Sequence, residues 1–179
     1  MQGDKMKHMD KPSKFSWEGL GDLEEGRGSL GLDMPVLVYR LLQYTLKDIL
    51  SREFDETYTR KLFYSAGHLA GTQLAANVLD LSGDFDFFVT NLQRSLQELK
   101  IGILRIEKAD LENSEFTLTV SEDLDCSGLP VTDETVCDYD EGFIAGILDA
   151  YTNKEFKVKE VDCWANGDRT CRFAAKLSD

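Results

Sequence analysis

Near residue 100 the period of the hydrophobic pattern changes from helical to alternating, and this change bounds the fold. Before it, Leu37, Val38, Leu41, Leu42, Leu46, Ile49 and Leu50 recur at helical spacing, with Asp33 as a candidate cap and Pro35 in the first turn. The first half of that helix, "MPVLVYRLL", is apolar nearly all round, which means central burial or a subunit interface. A second helix is predicted from Asp55 to about Leu81, with Tyr58, Leu62, Ala66, Leu69, Ala70, Leu74 and Val78 on one side. A third runs from about Asp86 to Lys100 and uses Val89, Leu92, Leu96 and Leu99. After the change, Leu104 and Ile106, then Phe116, Leu118 and Val120, alternate with polar residues around the turn "ADLENSE", a hairpin of two half-buried strands. A polar loop with Cys126 and Cys137 leads to the short helix "DYDEGFIAGILDAY" and then to a second hairpin, in whose last strand Cys171, Phe173, Ala175 and Leu177 share a face. The expected class is α+β: N-terminal helices packed on a mostly antiparallel sheet of about four strands, with one helix inserted between two hairpins.

The 179 residues are about one domain's worth. Residues 1–14 mix Lys, Asp and Met without periodicity and are expected to form a flexible tail, leaving 15–179 as a single domain. The net charge of -13 argues against nucleic acid and anionic membrane surfaces as partners. No signal sequence or run of ~20 apolar residues is visible, so the protein is expected in the cytoplasm without a membrane span. In that reducing setting four cysteines are better read as thiols or metal ligands than as a disulfide framework.

"YSAGHLAG" (64–71) and "YDEGFIAG" (139–146) share the pattern Tyr-x-x-Gly-x-x-Ala-Gly, each on a predicted helix. Glycine costs about 1 kcal/mol against alanine in a helix, so such pairs mark either the close approach of another backbone or room for a ligand. His8 lies in the expected tail, and His68 sits on the glycine-rich helix without an obvious Ser or Cys partner, so no histidine-based triad follows. No Gly-rich phosphate loop or nicotinamide or flavin fingerprint is present.

Cys163 and Cys171 flank "NGD", which can close a two- or three-residue hairpin and bring both sulfurs together. A structural metal site needs about four ligands, and Glu160, Asp162 and Cys137 are the nearest candidates by type. The apolar phase of Phe156 and Val158 slips by one before Val161 and Cys163, as a β-bulge would cause. A bulge turns Glu160 to the same side as Cys163, giving the set Cys137, Glu160, Cys163 and Cys171. The competing reading makes these cysteines buried small hydrophobes or a hairpin disulfide.

The half of the chain from "VCDYDEGFIAGILDAY" through "KEVDCWANGDRTCRF" resembles the 4-vinyl reductase domain family, over roughly residues 115–177, with a weaker likeness in the "FYSAGHLAG" helix. These are small-molecule-binding domains related in fold to transport-particle subunits of Golgi trafficking. Aromatic-sensing transcription activators contain a similar domain with zinc held by three cysteines and a glutamate beside the effector pocket. The resemblance implies zinc at Cys137, Glu160, Cys163 and Cys171 and leaves Cys126 as a spare thiol. A full site of this kind has no open position to activate water, so its role would be structural.

The first functional expectation is therefore a non-catalytic, zinc-stabilised binding or sensor domain for a small apolar or aromatic molecule. Its candidate pocket residues are Tyr64, Gly67, Gly71, Phe87, Phe88, Phe116, Phe143 and Trp164. The family name suggests instead a reductase or auxiliary factor acting on a tetrapyrrole vinyl group, although the sequence shows no hydride source. A third expectation, an assembly subunit, follows from the trafficking relatives and the apolar first helix, which also suggests a homodimer.

Overall fold

The computed structural model describes residues 13–178, so His8 and all but the last two residues of the expected tail lie outside them. The chain divides into two compact units, Met1–Met34 and Pro35–Asp179. In the described part of the first, Ser16 caps a 3-10 turn over Trp17–Leu20 and Asp22 caps the single helical turn α1 (Leu23–Gly26). Neither turn has a buried residue.

The second unit begins with α2 (Val36–Glu53), α3 (Glu56–Val78) and α4 (Phe85–Glu98). Pro35 itself takes the N-cap position of α2, with no side-chain cap, whereas the sequence suggests Asp33. The carboxylates of Asp55 and Asp84 accept from the backbone N–H of Tyr58 and Phe87, so each of the next two helices starts at a capping aspartate. β1 (Ile103–Asp110) and β2 (Glu115–Ser121) form the first hairpin, α5 (Asp138–Thr152) follows, and β3 (Phe156–Asp162) and β4 (Cys171–Leu177) complete an antiparallel sheet in the order β1-β2-β4-β3. The fold is α+β with the inserted helix between the two hairpins.

Three expectations about faces change. The buried row on α3 is Thr59, Phe63, Gly67, Gly71 and Ala75, one position round from the row of larger side chains read from the sequence. Glycines explain the shift, because Gly67 and Gly71 lie against the backbone of α5 while Gly142 and Gly146 lie against that of α3. A Cβ on Gly67 would overlap the carbonyl oxygen of Tyr139, and one on Gly71 that of Phe143. Of the two readings of the repeated pattern, close backbone approach is the one observed, and neither glycine opens space for a ligand.

α2 has no buried residue, which removes central burial as the explanation of its composition. Leu37 and Leu42 are each 68% exposed, while Tyr39, Arg40, Gln43, Tyr44 and Lys47 make its contacts to the rest of the unit. The helix is inside out: its polar side is half-buried and its aliphatic side faces outward.

The β3–β4 connection also differs from a two- or three-residue turn. It spans residues 163–170, with a 3-10 turn at Trp164–Asn166 and Gly167 at φ 106°. Asn166 Oδ1 accepts from the N–H of Cys163, and the N–H of Asp168 donates to the Cys163 carbonyl, so the loop folds back on the cysteine. The expected bulge is present as a register shift between Glu160 and Asp162; it leaves Val161 half exposed and turns both Glu160 and Cys163 inward.

Candidate metal centre and adjoining cavity

Four elements each deliver one buried cysteine to the same point. Cys126 lies in the loop after β2, Cys137 is the N-cap of α5, Cys163 follows β3, and Cys171 opens β4. Their four Sγ atoms lie within 4.8 Å of one another. Cys137 is 3.8 Å from both Cys163 and Cys171, and Cys126 is 3.0 Å from Cys171. A tetrahedron of Zn–S bonds of about 2.3 Å has edges of roughly 3.8 Å, so two observed separations already have that value. The shorter one must lengthen on metal binding, yet it is well beyond the ~2.05 Å of a disulfide. The four cysteines are a buried cluster capable of coordinating a metal ion.

This grouping brings in Cys126, which sequence reasoning sets apart, and places Glu160 beside the cluster. Glu160 Oε2 accepts from the N–H of Cys137 at 3.1 Å, while its buried Oε1 has no partner. Burial, with the Cys163 sulfur next to it, pushes the Glu160 carboxyl up to about 8. The thiol of Cys163 moves the other way, well below its ordinary value, because Cys126, Cys137 and Cys171 donate to its sulfur. One thiolate shared by three thiols is how such a pocket accommodates its first charge.

The loop carrying Cys126 has no strand or helix of its own, and α2 holds it. Tyr39 and Gln43 donate to the carboxylate of Asp125 at 2.7 and 2.6 Å, Tyr44 donates to its carbonyl, and Arg40 donates to the carbonyls of Leu124 and Ser127. Lys47 pairs with Asp138 at 2.9 Å and donates to the carbonyl of Val136, on either side of Cys137. Asp123 Oδ1 closes the loop by accepting the N–H groups of Asp125 and Cys126. Tyr39→Phe is expected to cost about 1–3 kcal/mol, measured by denaturant unfolding, because it removes a hydrogen bond to a buried carboxylate.

Next to the cluster is a cavity of about 40 Å³ between α4, α5 and the sheet, with Phe88, Leu92, Phe116, Leu118, Phe143 and Ile147 in its wall. Two aspartates, Asp123 and Asp140, supply its polar end. Burial and the neighbouring Asp125 raise Asp123 to about 7, and burial with the charges of Asp123 and Asp125 raises Asp140 well above the carboxylate range.

Of the residues picked from the sequence as pocket wall, Phe88, Phe116 and Phe143 line this cavity, and the others lie elsewhere. Tyr64, Gly67 and Gly71 belong to α3, on the far side of α5. Phe87 is half exposed and lies against Gly83, and Trp164 donates to the carbonyl of Leu129. Sequence reasoning misses the aspartates because an acidic residue in "DYDEG" reads as the solvated first turn of a helix. His68 donates to or accepts from Asp149 at 2.8 Å, and Asp149 accepts the N–H of Phe156, so the pair ties α3 to α5 and β3.

Comparison with known proteins agrees with this architecture. Residues 116–177 match the family model of the 4-vinyl reductase domain, and the chain has the fold of that vinyl-4-reductase family, to which trafficking and sensor domains are related. A vinyl-4-reductase family protein from Methanocaldococcus jannaschii superimposes with a TM-score of 0.63 at 18% identity, over 94% of this chain and 100% of that one. The phenol-responsive sensory domain of the transcription activator PoxR, solved with phenol, gives 0.60 at 16% identity, over 82% and 76%. A trafficking protein particle complex subunit 3 from Naegleria fowleri, covalently bound to palmitic acid, gives 0.58 at 12% identity, over 81% and 98%. In sequence, two uncharacterized proteins of Methanocaldococcus jannaschii are 28% identical over 61% of this chain and 27% identical over 84%. The chain spans 62% of the length of the first and 82% of the second.

Proposed function

We propose that this chain is a zinc-stabilised domain that binds a small, largely apolar molecule and acts through binding rather than catalysis. The observation that carries the reading is the apolar cavity whose polar end adjoins the cysteine cluster. Four soft thiolates at near-tetrahedral separations suit zinc. A filled four-thiolate centre has no position for water, so its role is to fix the loop of Cys126, the start of α5 and the second hairpin around the cavity. The related sensory domain crystallised with phenol supports the ligand class, and the cavity is far too small to enclose a tetrapyrrole. Four free buried cysteines fit a reducing cytoplasm. Among the described residues no helix is long and apolar enough to cross a membrane.

Native mass spectrometry of the full chain, purified without chelator, should show one zinc per chain and a co-purified or added apolar ligand. A folded, reduced sample without stoichiometric metal would refute the zinc centre.

The outward aliphatic side of α2 favours an accompanying role in assembly. We read it as the surface of a homodimer, with Leu37, Leu41 and Leu42 at its centre. Light scattering at micromolar concentration is expected to give twice the chain mass, and Leu41→Glu the single mass with unchanged folding. A monomer in the unmodified protein would remove this reading.

A further inference from the structure

We infer that the cavity selects a protonated amine: a small alkyl or aryl ammonium whose apolar body lies among Phe88, Phe116, Phe143 and Ile147 and whose N–H groups meet Asp140, with Asp123 beside it. The inference rests on the proposed binding function and names the head group that the site takes. Asp140 is 8% exposed and lines the cavity, and its Oδ2 is buried without a hydrogen-bond partner. Leaving such a group unpaired is costly, and a ligand donor at that oxygen removes the cost.

The sign of the head group follows from the surroundings. Among the described residues no Lys, Arg or His lines the cavity. The charges bearing most on Asp140 come from Asp123, Asp125, Cys171 and Glu160, all acidic or thiol groups. A divalent ion held by four thiolates adds a net charge of about -2 next door. Carboxylates, phosphates and phenolates are therefore repelled, a neutral alcohol is tolerated, and an ammonium is attracted. The body must be small or must displace side chains at the rim, because about 40 Å³ is less than the ~150 Å³ cavity that holds benzene.

A series of probes with one body and different heads tests this: pentylamine, pentan-1-ol and pentane, titrated at neutral pH into the zinc-loaded full chain while methyl NMR signals of Ile144, Ile147 and Leu148 are followed. Pentylamine is expected to shift these methyls and to bind at least about 10-fold tighter than pentan-1-ol, as a charge-assisted hydrogen bond predicts. Asp140→Asn should cut that advantage to about 3-fold or less while leaving pentane binding unchanged. If Asp140→Asn fails to fold, Asp123→Asn provides the second variant, and the comparison of heads in the unmodified protein already decides. Equal binding of alcohol and amine would overturn the head-group assignment while keeping the cavity as a binding site. Absence of binding by all three probes would overturn both. Because donor atoms of Asp123, Cys137 and Asp140 also lie within 4.8 Å of one another, a second equivalent of metal per chain would overturn the amine in favour of a cation already resident there.

Discussion

Cys126→Ser is expected to lower metal affinity more than about 100-fold and to leave less than one metal per chain after dialysis against a mild chelator. The reason is positional: the sulfur of Cys126 is 3.0 Å from that of Cys171, and the set of four sulfurs closes only with it. Structural zinc binding is worth about 10–16 kcal/mol in small zinc domains, comparable with the whole stability of an ordinary domain of about 5–15 kcal/mol. Cys126→Ser and Cys171→Ser should therefore both fall far in thermal stability. Glu160→Gln is the informative control. As a partner that orients Cys137 through its N–H, Glu160 should matter by about 10–100-fold in metal affinity, the usual effect of an outer hydrogen-bonding group. The opposite ranking, with Glu160→Gln severe and Cys126→Ser silent, would make Glu160 the fourth ligand and return Cys126 to a spare thiol.

Gly71→Ala is expected to destabilise the fold by about 3 kcal/mol or more, a fall in melting temperature of roughly 6–12 °C for a domain of this size. At an open helical position the same change would stabilise by up to about 1 kcal/mol. Here the new methyl meets the carbonyl of Phe143, and backbone cannot rotate away as a side chain can. Gly67→Ala, Gly142→Ala and Gly146→Ala should behave alike, since each added Cβ meets a carbonyl of the opposing helix. Because Phe143 also lines the cavity, forcing α3 and α5 apart should loosen apolar probe binding as a consequence of lost stability. A Gly71→Ala protein of unchanged melting temperature would show that the two helices do not pack this closely.

Much of the architecture was legible because it is local. The change of period near residue 100, the aspartates at the starts of α3 and α4, and the alternation along β1, β2 and β4 each depend on neighbours a few residues away. Even the bulge that turns Glu160 toward Cys163 showed as a slip of phase between Val158 and Val161. The cysteines at 163 and 171 announced themselves by lying across one hairpin.

What the sequence left open depends on residues far apart in the chain. Spacing shows that α3 has glycines, but only the presence of α5 against it makes the glycine row, rather than the leucine row, the buried one. Composition made α2 look like a core helix. Its polar side is turned inward by bonds from Tyr39, Arg40, Gln43 and Tyr44 to the loop at residues 124–127, over 80 positions away, and no periodicity records that. Cys126 looked spare for the same reason, since the loop that carries it has no repeating pattern and reaches the other three sulfurs only when α2 holds it. Local propensity thus determined the elements and their order, while the burial of polar groups without water, each requiring a partner wherever the chain can supply one, decided how they face one another and left Asp140 as a group still lacking one.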